Sequence, residues 1–124
     1  MTKEFRAYNR ETKEMVYQSD IYEFHFEKKG RWFCMKGGMT CVCNYMNGDL
    51  MQWTGLEDRN EKRCYEGDII ESEDPDGESG VYKWEIIEDK GCFCGESKEC
   101  ESIVPLSKLI TFGKAKVVGD KFDK

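Results

Sequence analysis

The sequence predicts a mainly β protein: a small, partly open barrel of SH3-like character, an N-terminal β meander and one short helix near the C-terminus. Three observations carry that prediction. Apolar and polar residues alternate with a period of two in several short windows, the mark of half-buried strands. Glycine and Asn-Gly breaks separate those windows at short intervals. Helical periodicity is nearly absent.

Along the chain, Ile21-Tyr22-Glu23-Phe24-His25-Phe26-Glu27 places Tyr22, Phe24 and Phe26 on one face and Glu23, His25 and Glu27 on the other. Gly37-Gly38 interrupts any strand there, and Asn47-Gly48-Asp49 has the left-handed tolerance of a tight turn. We place the boundary between two subdomains at that turn, giving a meander over 1–48 and a small barrel over 49–124, the two together able to form one continuous domain. Asp68–Ser72 and Val81–Glu88 read as a hairpin closed by a long tip around Pro75-Asp76-Gly77, with Tyr82, Trp84 and Ile86 facing inward. Pro105-Leu106-Ser107-Lys108-Leu109-Ile110 suits one or two helical turns, with Pro105 at the first helical position, where its missing N–H costs nothing. Lys114–Val118 reads as a last short strand.

Composition narrows the function classes. The 124 residues carry 19 basic and 25 acidic side chains, a net charge of −6, which argues against a basic nucleic-acid binder. Leu, Ile, Val and Phe make up only about a fifth of the chain. Met, Trp and Tyr restore the apolar stock, because aromatic rings bury large areas per residue. No apolar run approaches the roughly 18 residues of a membrane span. The opening Met1-Thr2-Lys3-Glu4-Phe5-Arg6 lacks the apolar core of an export signal. The expectation is therefore a cytoplasmic protein, off the membrane, whose seven cysteines are reduced and mostly small buried hydrophobes.

Charge is uneven. Residues 66–101 hold 13 acidic and 3 basic side chains, whereas residues 102–124 hold 5 basic and 2 acidic. The acidic stretch reads as a solvated hairpin whose charges blunt an exposed edge. Its functional alternative is an acidic, nucleic-acid-mimicking decoy of basic host proteins.

The most specific run is Leu50-Met51-Gln52-Trp53-Thr54-Gly55-Leu56-Glu57-Asp58-Arg59-Asn60, followed by Tyr65-Glu66-Gly67-Asp68-Ile69-Ile70. This run resembles the YopX family of phage and prophage proteins, as do the opening Phe5-Arg6-Ala7-Tyr8 with Lys13-Glu14-Met15-Val16-Tyr17, and the late Val117-Val118-Gly119-Asp120. The resemblance reaches both ends and the middle. It implies a bacterial or phage setting and a mostly β fold with small-barrel character, and it implies no known activity. The chain departs from the family pattern at Asn60-Glu61-Lys62, where the family reads Asn-Gly-Lys, so Asn60 is expected to be the left-handed residue. Cys64 stands where the family's "IYEGD" run has its first residue, and the family's usual tail after Asp120 is missing.

Cys41-Val42-Cys43, Cys92-Phe93-Cys94 and Cys100 are the candidate metal ligands in the sequence. Zinc needs thiolates within roughly 4 Å of one another. Residues i and i+2 of an extended strand lie about 6.5–7 Å apart. No metal and no cofactor is expected. His25, the single histidine, sits between Glu23 and Glu27 with nothing local to bring a thiol to it, so no catalytic residue is assigned and an enzyme is not expected.

Gly67-Asp68 admits two readings. In one, Gly67 takes positive φ and Asp68 bonds backbone N–H groups to fix a corner. In the other, Trp53, Tyr65 and Asp68 line a groove for a protein partner of unknown identity. The functional reading is a non-enzymatic protein-interaction module, with exposed sheet edges that also fit a homo-oligomer.

Overall fold

In the computed structural model of the chain, residues 4–19, 21–75, 80–99 and 101–122 are described, and 59% of them lie in strands. Two compact units divide the chain, Met1–Gln52 and Trp53–Lys124. The division falls inside a strand rather than at the Asn47-Gly48 turn. The protein is mainly β with one short helix, and its sheet forms a half barrel.

The first unit holds β1 (Phe5–Asn9), β2 (Glu14–Tyr17), β3 (Tyr22–Phe26), β4 (Trp32–Lys36) and β5 (Thr40–Asn44). Strand β6 (Gly48–Glu57) begins there and continues into the second unit. β1 pairs antiparallel with β2 on one side and with residues 48–52 of β6 on the other. β3, β4 and β5 form a three-stranded antiparallel sheet. Its two turns fall at the glycines, the second across Gly37-Gly38. Ala7, Val16, Trp32, Cys34 and Cys43 make the core, with Tyr22, Phe24, Val42 and Leu50 packed on it. The alternation expected in β3 holds for Tyr22 and Phe24. Phe26 differs: it stays 53% exposed, its ring resting against Phe5 at 4.8 Å between centroids.

The second unit holds the rest of β6, then β7 (Arg63–Tyr65), β8 (Asp68–Glu73), β9 (Val81–Asp89), β10 (Cys92–Ser97), β11 (Ser102–Pro105), α1 (Leu106–Thr111) and β12 (Lys116–Asp120). Five strands form one sheet in the order β11-β10-β9-β8-β12. The expected hairpin is present as β8 and β9, with Ile70 opposite Trp84. Part of its tip, residues 76–79, lies outside the described residues. Cys64, Ile70, Trp84, Ile86, Leu106, Leu109 and Ala115 form the core beneath α1.

Two element boundaries differ from expectation. Pro105 is not the first helical residue: it closes β11 in extended geometry, at ψ 136°, and α1 starts at Leu106. The last strand starts at Lys116 rather than Lys114, because Lys114 adopts a left-handed φ of 52° and Ala115 turns fully into the core.

Each core contains one buried tryptophan and a glycine that makes room for it. A Cβ on Gly48 would overlap Cys43 Sγ and come within 2.8 Å of the Trp32 ring. A Cβ on Gly95 would overlap Leu109 Cδ1 and lie 3.1 Å from Trp84 Cβ. The Trp84 indole N–H donates to Ser72 Oγ at 2.8 Å, so its polar edge is satisfied inside the core. Gly95→Ala is therefore expected to destabilise the protein by about 1–3 kcal/mol through overpacking, read as a lower urea midpoint. An unchanged midpoint would show that the contact relaxes without cost.

Candidate functional site

The residues singled out in the sequence meet where β6 and β7 pair, and Trp53 lies directly opposite Tyr65. Trp53 is half-buried. Its indole N–H donates to the Leu56 carbonyl at 3.0 Å, which pins the ring across the strand bend. The Arg63 guanidinium lies over the same ring, 4.4 Å from its centroid, within cation–π range. Thr54 completes the corner: its hydroxyl donates to the Cys64 carbonyl at 2.7 Å and accepts from the Leu56 N–H at 3.2 Å.

Tyr65 and Asp68 are interior. Tyr65 is 6% and Asp68 3% exposed, and the Asp68 carboxylate accepts the Tyr65 N–H at 2.8 Å. Between them Gly67 takes a φ of 84°, the left-handed geometry expected of it. The Gly67 N–H donates to the Ile86 carbonyl, while its own carbonyl accepts from Lys121 N–H. Burial thus gives Tyr65 and Asp68 the corner-fixing part. Trp53 alone of the three presents appreciable surface.

Sequence reasoning missed two neighbours. Asp58, 6% exposed, accepts three backbone N–H groups: Asn60 at 2.8 Å and Lys62 at 2.9 Å on Oδ1, and Val117 at 2.8 Å on Oδ2. The first two are a local Asx turn, and Asp58-x-Asn60 was its legible signal. The third ties the β6–β7 turn to β12. Arg63 had no local signal, because only strand pairing brings it over Trp53.

The turn also corrects one expectation. Glu61, not Asn60, is left-handed, at φ 63°. Asn60 is instead held by the Asp58 carboxylate, which leaves the next residue to reverse the chain.

Four of the thiols are buried and quiet. Cys41 is exposed and Cys43 buried, because the β4–β5 register shifts between Cys34 and Met35. Cys92 is exposed and Cys94 buried. Cys100 lies outside the described residues, among which no group of three or more His, Cys, Asp or Glu is placed to hold a metal ion. Burial pushes the Cys34 and Cys43 thiols up to about 11 and Cys64 to about 12, and it raises Cys94 as well. These four are protonated at neutral pH and are poor nucleophiles. His25 lies at the surface, 3.4 Å from Glu23 and stacked on Phe33. Among the described residues no helix is long and apolar enough to cross a membrane.

A half-barrel sheet with a braced tryptophan corner defines a small mainly β protein of the kind built from short antiparallel hairpins. The family model for the YopX protein matches residues 4–124, and the chain belongs to the YopX family. Among solved structures, the protein yopX from Bacillus subtilis is similar with a TM-score of 0.77 and 18% identity, over 100% of this chain and 96% of that one. Protein EF1440 from Enterococcus faecalis is similar with a TM-score of 0.60 and 21% identity, over 97% of this chain and 93% of that one. At these identities the likeness is one of fold. No curated protein matches the chain.

Two outcomes test this account. Asp58→Asn leaves an amide where a carboxylate oxygen took a backbone N–H, and is expected to cost about 1–3 kcal/mol. Glu61→Gly relieves the left-handed turn and is expected to raise stability by roughly 0.5–1 kcal/mol. Urea unfolding measures both, and a neutral Asp58→Asn would refute the bracing role. Alkali tests the thiols. Their native-state values lie above the ordinary 9.0, so above that pH the unfolded chain has released more protons than the native one and stability falls. Unfolding free energy under reducing conditions is expected to drop from pH 9.0 toward pH 12, less steeply in Cys64→Ala. An equal slope in that variant would show that Cys64 is not responsible.

Proposed function

We propose that the protein is a non-enzymatic protein-interaction module of phage or prophage origin, working in the bacterial cytoplasm. The observation that carries this reading is the Trp53–Arg63 platform. A partly buried indole, fixed by its own N–H bond and covered by a guanidinium, combines two of the side chains most often found as anchors at protein interfaces. It is rigid before a partner arrives, so little side-chain freedom is lost on binding. Tyr65 and Asp68 support it from within through the β7–β8 corner. The raised thiols and the surface position of His25 favour a binding role over nucleophilic catalysis.

The acidic-decoy reading has less support. Part of the acid excess is met within the fold: Lys116 approaches Glu71 at 3.9 Å and Lys114 approaches Glu73 at 4.0 Å.

Capture from bacterial lysate, with and without phage infection, separates the two. Wild-type protein is expected to retain a partner that persists as salt rises, and Trp53→Ala and Arg63→Ala are expected to lose it while keeping native circular dichroism. Retention by folded Trp53→Ala, or steep loss with salt in the wild type, would overturn the interaction-platform reading.

A further inference from the structure

Two Cys-x-Cys pairs of identical spacing are placed differently by their strands. In β5 the register shift beside Cys34 parts Cys41 from Cys43: Cys43 enters the core, and Cys41 is exposed. β10 pairs without a shift on either side, so Cys92 and Cys94 share one face of the strand. Phe93 between them packs against the core, which puts both thiols on the outer face of the five-stranded sheet.

The two sulfurs converge. Cys92 Sγ lies 3.7 Å from the Phe93 carbonyl oxygen, and Cys94 Sγ lies 3.7 Å from the Cys92 carbonyl oxygen. One side chain leans forward along the strand and the other back, and a hydrogen bond joins the thiols. Cys94 is buried, with Ile87 and Pro105 opposite it on the two neighbouring strands. Cys92 is the first residue of β10, straight after the turn at Lys90 (φ 51°) and Gly91 (φ 83°), and it is exposed. The pair therefore has one closed end and one open to solvent.

Convergent thiols can be bridged by a disulfide or by a soft ion, and geometry separates the two. A disulfide usually spans Cα atoms about 4.4–6.8 Å apart. Residues i and i+2 of a strand stand about 6.5–7 Å apart, so a direct S–S bond would buckle β10. An ion between the sulfurs lengthens the bridge and leaves the strand straight. Structural zinc and iron–sulfur clusters take four ligands, and among the described residues no group of three or more His, Cys, Asp or Glu is placed to hold a metal ion. Cu(I) is a soft ion that thiolates select, and it binds linearly between two of them. We propose that Cys92 and Cys94 form a two-thiolate site for Cu(I) at the turn end of β10. Binding is an exchange of ions without oxidation: two thiol protons leave as two sulfur–copper bonds form. That exchange reconciles the site with the protonated state of buried Cys94, because a coordinated thiol gives up its proton outright. This inference is independent of the Trp53 platform.

Anaerobic titration of the full chain with Cu(I), the free ion held by a Cu(I)-selective chelating dye and kept reduced with ascorbate, tests it. One Cu(I) per chain is expected, with two sulfur neighbours in X-ray absorption. Cys92→Ser and Cys94→Ser are each expected to lose the ion. Cys92 is exposed, so its variant is expected to keep native circular dichroism. Cys41→Ser and Cys100→Ser are expected to bind as the wild type does, and excess Zn²⁺ is expected to leave the copper in place. A chain that takes no Cu(I) from the dye, copper retained by folded Cys92→Ser, copper lost from folded Cys41→Ser or Cys100→Ser, a shell of more than two sulfurs, or displacement by Zn²⁺ overturns the proposal.

Discussion

A buried indole set against a glycine is the constraint on which each unit's interior depends. The chain is poor in branched aliphatic residues, so Trp32 and Trp84 supply much of the buried volume. Gly48 leaves room for Cys43 and the Trp32 ring, and Gly95, on the strand beside Trp84, leaves room for Leu109 to pack against it. In the first core the remaining interior positions go to Ala7, Val16, Cys34 and Cys43, whereas the second buries Ile70, Ile86, Leu106 and Leu109 beside Cys64 and Ala115. The cysteines thereby serve as compact apolar filling. Their raised ionisation follows from that same burial, so packing and chemical quiet have one cause.

Around those cores, buried carboxylates organise the backbone where no ladder does. Asp58 and Asp68 each sit at a bend, and each accepts N–H groups that the bend leaves without a strand partner. Such charge-assisted bonds are stronger than neutral ones, which suits corners whose own sheet bonding is interrupted. Arg63 lies between these two corners in the chain, and Trp53, which it covers, stands just before the first.

Much of the strand pattern was legible because side-chain alternation is a local property. Tyr82, Trp84 and Ile86 declared their inward face within six residues, and the Asp68–Ser72 and Val81–Glu88 segments declared a hairpin. Alternation alone puts Phe26 inward, yet it is half exposed, because the end of an edge strand runs beyond the core that alternation assumes. Intrinsic preference puts the left-handed residue of the β6–β7 turn at Asn60. The Asp58 carboxylate, bonding Asn60 in place, passed that conformation to Glu61. Of the candidate site, Trp53 was visible as an aromatic on a strand, whereas its partner Arg63 was not.

Periodicity, turn residues and family motifs belong to neighbouring positions, so the chain's own order of residues was enough to specify strands, bends, fold class and kinship. Contacts between distant segments have no such local trace. Asp58 reaches Val117 across 59 positions, and Lys116 comes beside Glu71 only because β12 docks on β8. That docking sets part of the acidic stretch against the basic tail and turns a lopsided charge map into paired edges. Packing also settled which aromatic rings stay in reach of solvent, since exposure depends on what the rest of the chain covers.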